Sequence, residues 1–371
     1  MNRWSLPGPA HFLRQAGEAL REGQNLVLAT PVHALGGMGG ALEHHLHNEG
    51  WRVAGPVADD ASDPVDQIFA SLGLDDGGAS RRSVSLLRQR LEPGQAVLVR
   101  GVGPAGWPAW KRMLEEYEVA SRGVSSFDRP LLVAMTEGVP MSALPGRAAA
   151  LKVLPWQDVV GELDVLLYAT NTLRERGTLD HQSKLVARII GRLALWDLTL
   201  ADNLLNQRPS ELFRPAEIVR LASVAAEYAP QLQLNWESGG LQRFDGVELA
   251  HPFLVLADGD RSGELAMRIW AAQAAEILPA LELHRRELAR RMRTMVSAPF
   301  HLGDEQFFDL DDLEIGQLAH LAVTLRLSHS IRQTADKWRR LRNKLAHLEV
   351  LEASDALDAE LLSIGRGRSN R

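Results

Sequence analysis

Cysteine is missing from this 371-residue chain. That absence removes disulfides, thiolate-held zinc and thiol nucleophiles together. Tyrosine is nearly missing, with 3 residues, and lysine supplies only 5 of the 41 basic side chains. No apolar run approaches the ~18 residues of a membrane-spanning helix, and the opening MNRWSLPGPAHFL has no apolar leader core. A cytoplasmic protein without membrane contact is therefore expected. The net charge of −6 argues against a chain that is one large nucleic-acid-binding surface. Hydrophobic residues at 45% and charged residues at 24% are ordinary for a globular chain, and the length calls for two or three domains.

The first part alternates helix and strand. PAHFLRQAGEALREG is an amphipathic helix, NLVLATPV a buried strand and ALEHHLHNEG a helix. QIFASLGL and SRRSVSLLRQRLE follow as helices, then AVLVRGVG as a strand, WPAWKRMLEEYEVASRG as a helix and RPLLVAMTEG as a strand. Such alternation implies a parallel sheet covered by helices. The order strand, glycine loop, helix and two further strands resembles the P-loop ATPases of the AAA+ and STAND groups. The chemistry of that family is not carried over. The loop PVHALGGMGGALEHH has Gly36, Gly37, Gly39 and Gly40 but no Lys followed by Ser or Thr to hold phosphates and magnesium. The second strand ends in Arg100 where an acid belongs, and only Thr136 and Glu137 stand at a sensor-like position. The resemblance thus implies a domain over residues 1–145 that lacks Walker motifs and does not hydrolyse ATP; no cofactor is expected.

Three segments over residues 150–235 carry helical spacing: WQDVVGELDVLLYATNTL, DHQSKLVARIIGRLALWDLTLADNLL and FRPAEIVRLASVAAEYA. They read as a helical, lid-like domain. Residues 236–263 read as a partly β-like linker. His44, His45 and His47 share one short helix without a nearby third ligand, so no metal site is expected.

The densest chemistry lies at Arg342-Asn343-Lys344-Leu345-Ala346-His347, within the helical segment WRRLRNKLAHLEVL. Arg stays protonated beside a phosphate, and His exchanges protons near neutrality. Asn343 and His347, four apart, share a helix face. Arg342 lies about 140° around the helix from His347, so one helix alone does not close a tight Arg–His pair. Trp338, Leu341, Leu345 and Leu348 form the opposing apolar stripe. Arg332, Lys337, Arg339, Arg340, Arg342 and Lys344 crowd this helix against one acid, Asp336, and read as a phosphate-tracking patch.

Arg-Asn-x-x-x-His on a late helix of a small helical domain resembles the HEPN superfamily, many of whose members are metal-independent endoribonucleases. The resemblance covers residues 264–364 and implies a four-helix bundle: MRIWAAQAAEILPALELHRRELARRM, DLDDLEIGQLAHLAVTL, the motif helix and SDALDAELLSIG. It implies catalytic roles for Arg342, Asn343 and His347, RNA contacts from Lys337, Arg339, Arg340 and Lys344, and a homodimer with facing motif helices. Glu314 and Glu282 are candidate acids for orienting His347 or pairing with Arg342. Fusion to an inactive ATPase-like module resembles effectors of prokaryotic conflict, phage-defence and toxin systems, which implies a sensor or inhibitor protein as a further partner. The alternative is a non-catalytic bundle that binds a nucleotide or a partner. A DNA-binding regulator is a third possibility, although residues 156–235 are not notably basic.

Overall fold

The sequence LVLAT is buried at all five positions, and in a computed structural model it forms an inner strand of a parallel sheet. The structure describes residues 2–363 except 76, 78–81, 124–128, 147–150, 179 and 262. Ser80 and Arg81 of an expected helix, and the tail from Ile364, lie outside the described residues. The first elements are α1 (Pro7–Arg21), β1 (Leu26–Thr30), α2 (Met38–Asn48), β2 (Arg52–Ala54), α3 (Pro64–Leu72) and α4 (Val84–Arg90). β3 (Gln95–Val102), α5 (Trp107–Ala120), β4 (Leu131–Glu137) and β5 (Lys152–Pro155) complete the sheet, in the order β2-β3-β4-β1-β5. Every pairing is parallel. The short strands β2 and β5 were not anticipated, because three or four residues carry too little periodicity to stand out.

One sheet face buries Val27, Val97, Val99 and Leu132 against Ile68, Phe69, Leu87, Trp110 and Tyr117 of α3, α4 and α5. Both faces are covered, so the strands read as near-continuous apolar runs. After β1 the chain crosses to β2 at the sheet edge, then returns through β3 and β4 and passes β1 to reach β5. The connections leaving β1 and β4 therefore diverge beyond Thr30 and Glu137, which are paired in register. Open α/β sheets present their binding crevice at such a point.

Four helices follow: α6 (Glu162–Glu175), α7 (Ser183–Ala194), α8 (Leu198–Leu205) and α9 (Pro215–Ala225). α7 and α8 were expected as one helix. The helix stops at Leu195, whose φ of 52° is left-handed, with Trp196 and Leu198 buried beside it. The stretch expected as a linker is folded: β6 (Leu241–Phe244) and β7 (Val247–Ala250) form a hairpin before α10 (Pro252–Ala257). Its two-residue turn, Asp245–Gly246, has φ of 49° and 79°, the primed-turn geometry that Asp-Gly favours.

The C-terminal part contains α11 (Glu264–Met292), a hairpin of β8 (Phe300–Leu302) and β9 (Glu305–Phe307), α12 (Ile315–Thr324), α13 (His329–Ala346), α14 (Ala353–Ala356) and α15 (Ala359–Ser363). The expected closing helix is two short turns, α14 and α15. The long helix that packs most closely on α11, besides α13, is α7. The chain divides into two compact units. One comprises Met1–Asp164, Leu195–Leu198 and Ala226–Leu254; the other comprises Val165–Ala194, Thr199–Ala225 and Val255–Arg371. This division cuts across the expected borders, since most of α6–α9 falls with the C-terminal helices.

Candidate functional site

α13 begins at Ser328, whose Oγ accepts from the Ile331 N–H at 3.4 Å, the usual way to satisfy a first-turn donor. Ile331, Ala335, Trp338, Leu341 and Leu345 are buried along one face, and Trp338 stacks on His284 of α11 at 4.3 Å. The helix ends earlier than its apolar periodicity suggests. His347 is its C-cap, and Leu348 turns out of the core, 53% exposed with a φ of 63°. The Glu349 N–H donates to the Lys344 carbonyl at 2.9 Å and the Leu348 N–H to the Leu345 carbonyl at 3.2 Å. Those two bonds define a Schellman motif, here with leucine where glycine is usual.

The turn that follows is held from α11. Trp270 Nε1 donates to the Leu345 carbonyl at 2.8 Å. Gln273, fully buried, donates to the Leu351 carbonyl at 2.9 Å and accepts from its N–H at 2.8 Å. Neither residue was singled out from the sequence. A glutamine inside the apolar run WAAQAAEIL was the available signal, because a buried amide requires partners.

Asn343 and His347 are exposed, and among the described residues neither side chain has a hydrogen-bond or ion-pair partner. Arg342 points into a groove of about 440 Å³ lined by residues of α11, α12 and the segment before α12. Its Nη2 donates to Glu314 at 3.0 Å. Glu282 lies in the same groove but accepts from Arg285 at 2.7 Å and Arg286 at 3.2 Å. The Arg285 hydrogen bond, against a smaller opposing effect of burial, holds the Glu282 carboxyl below the usual range. Arg285 is itself fixed by the carbonyls of Asp311 and Leu313, at 2.9 and 3.0 Å.

The basic patch read from the sequence is largely neutralised by acids from distant segments. Lys344 lies 3.6 Å from Asp355, and Arg339 and Arg340 share Asp336 at 2.6 and 3.6 Å. Lys337 bridges Asp358 at 3.1 Å and Glu360 at 3.0 Å, over the ring of Trp338. Burial works to lower the Lys337 pKa, but the bonds to Glu360 and Asp358 outweigh it and raise it. Four of the five acids concerned, Glu314, Asp355, Asp358 and Glu360, lie outside the motif helix. His320, on α12 between buried Leu318 and Leu321, is exposed.

In the first unit two side chains, Trp4 and Arg100, approach the glycine loop. Trp4 Nε1 donates to the Gly36 carbonyl at 3.0 Å. Arg100 reaches across α2 to Glu43 at 2.6 Å, so close to Gly39 that a Cβ there would lie 3.0 Å from its side chain. Thr136 is fully buried, its hydroxyl facing the Leu28 carbonyl at 3.5 Å. His45 pairs with Glu49 at 3.4 Å and His44 contacts Asn48 at 3.2 Å. One polar cluster went unread in the sequence because its members are far apart. Asp197 accepts from the Tyr228 hydroxyl and lies 3.1 Å from His251 Nε2, while His33 packs on the Tyr228 ring. His251 Nδ1 accepts from the Phe253 N–H at 3.2 Å, which puts the ring proton on Nε2.

No family model matches the chain, and no curated protein matches it.

Proposed function

We propose that the chain is a metal-independent endoribonuclease. The observation that carries this reading is the partition of α13. Trp338, Leu341 and Leu345 anchor the helix, while Asn343 and His347 stand exposed near its end and Arg342 enters an adjoining groove. In the proposed reaction His347 takes the proton from an RNA 2′-hydroxyl as that oxygen attacks the adjacent phosphorus. The bond to the 5′-oxygen breaks and that oxygen takes a proton from water, leaving a 2′,3′-cyclic phosphate and a 5′-hydroxyl. Arg342 stabilises the charge gathering on the phosphate oxygens, and Asn343 hydrogen-bonds the phosphate or the imidazole. The Arg342–Glu314 pair is no obstacle. Its side chains are 43% and 68% exposed, and such pairs contribute about 0–1 kcal/mol, so a substrate phosphate can displace the carboxylate.

In this proposal Lys344, Arg339, Arg340 and Lys337 contact the RNA backbone, and a second copy brings its motif helix to the same cleft. The sheet domain is a nucleotide-binding-like module without hydrolysis, serving a sensing or docking role in a conflict or phage-defence system. One observation favours a second reading, a non-catalytic partner-binding protein: the cations around the motif already have carboxylate partners.

Incubation of total RNA with purified protein in EDTA separates the two readings. Cleavage to cyclic-phosphate ends is expected, falling at least a hundredfold in both His347→Ala and Arg342→Ala. Equal activity in wild type and both variants would sink the nuclease reading.

A further inference from the structure

The groove beside Arg342 has features that the proposed chemistry does not use. Its volume of about 440 Å³ has room for a planar base. Its floor is aliphatic, built from buried Leu281, Leu313 and Ile315. Three carboxylates at its edge are engaged by arginines, Glu282 by Arg285, Glu314 by Arg342 and Asp311 by Arg293. A fourth is not. Asp312 lines the groove, is exposed, and among the described residues its side chain has no hydrogen bond or ion pair.

An aliphatic floor accepts the face of a flat ring and makes no demand for hydrogen bonds. A carboxylate at the rim, which can only accept, selects rings that present donors at their edge. Single-stranded RNA is read in this way, by stacking and by contacts to the Watson–Crick edge. Among the four RNA bases only guanine carries two neighbouring donors on that edge, N1–H and N2–H, spaced to meet the two oxygens of one carboxylate. Adenine and cytosine place a bare ring nitrogen beside the amino group. Uracil places carbonyl oxygens on both sides of its single N–H. Each of those three turns a lone pair toward the acid.

We infer that this groove is a base subsite in which Asp312 selects guanine, with the adjoining phosphate directed to Arg342. The consequence for cleavage rests on the ribonuclease reading, whereas base binding does not. Arg342 meets the polyanionic backbone, where the phosphate displaces Glu314, and Asp312 meets the base edge.

The test uses the full chain and 2′-O-methyl pentanucleotides, which lack the attacking hydroxyl and are bound without being cut. Each carries one guanosine, inosine, adenosine or cytidine within uridine. Guanosine is expected to bind about tenfold tighter than inosine, which lacks only the N2 amino group, as removing one hydrogen bond to a charged acceptor predicts. Asp312→Asn is expected to erase that difference and to leave the all-uridine affinity unchanged. Equal affinity for guanosine and inosine, retained preference in Asp312→Asn, or no binding of any oligonucleotide would each overturn the subsite. Mapping the cuts in unmodified RNA reports separately on the nuclease. Guanosine-selective binding without cleavage removes the nuclease and keeps the subsite, and cleavage without base preference does the reverse.

Discussion

Leu348 holds a left-handed backbone that costs a β-carbon-bearing residue on the order of 1 kcal/mol, and its side chain, 53% exposed, recovers little by packing. The Schellman turn needs that conformation to satisfy the last carbonyls of α13, and glycine adopts it without the steric penalty. Leu348→Gly is therefore expected to stabilise the unit by about 0.5–1 kcal/mol, seen as a higher thermal midpoint, with part of the gain cancelled by the freer unfolded chain. A lower midpoint would show that Leu348 makes a contact worth more than its strain. Arg342, Asn343 and His347 were legible as a group because their types and spacing lie within six residues. The ion-pair partner of Arg342 was legible only as one of two acids, since Glu314 lies 28 positions away and nothing local ranks it above Glu282.

α13 illustrates how an element is cut to length by its neighbours. Apolar spacing continues through Leu348, so periodicity alone extends the helix past its true end at Ala346. The stop comes from α11, where Trp270 takes up the Leu345 carbonyl and Gln273 pairs both backbone groups of Leu351. Gln273→Leu keeps most of the side-chain volume but leaves a buried N–H and a buried carbonyl unpaired, at about 1–3 kcal/mol each. The variant is expected to lose about 2–4 kcal/mol in denaturant unfolding and to speed amide exchange at Leu351. An unchanged midpoint would mean that water or another side chain replaces the amide. The hairpin of β6 and β7 makes the opposite case. Its Asp-Gly turn between strand-like residues is a strong local signal, yet the segment reads as a linker when only longer periodicity is weighed.

Each of the two compact units encloses a histidine that burial holds below its ordinary pKa of 6.5: His33 in one and His284 in the other. His284 packs on Trp338, with its Nε2 3.2 Å from the Leu361 carbonyl, near Lys337 and Glu360. A histidine kept neutral in the folded chain binds fewer protons than in the unfolded chain. Stability is therefore complete above pH 6.5 and declines as the pH falls from there through the lowered folded value. Thermal midpoints measured from pH 7.5 to 5 are expected to drop across that window, with a shallower drop in His33→Gln/His284→Gln, in which neither position titrates. Identical slopes in wild type and the double variant would assign the acid sensitivity to other groups.

Strand–helix alternation, the parallel sheet, the missing phosphate-loop lysine and the partition of α13 into apolar and polar faces all follow from short-range pattern. Residue type and a period of two or nearly four suffice to state them. Which acids meet which cations does not follow. Glu314, Asp355, Asp358 and Glu360 reach the motif cations from other segments, and Coulomb attraction depends on distance in space rather than along the chain. The same holds for the assignment of helices to units. The apolar faces of α7 and α9 are compatible with many partners, and burial against α11 decides where they belong.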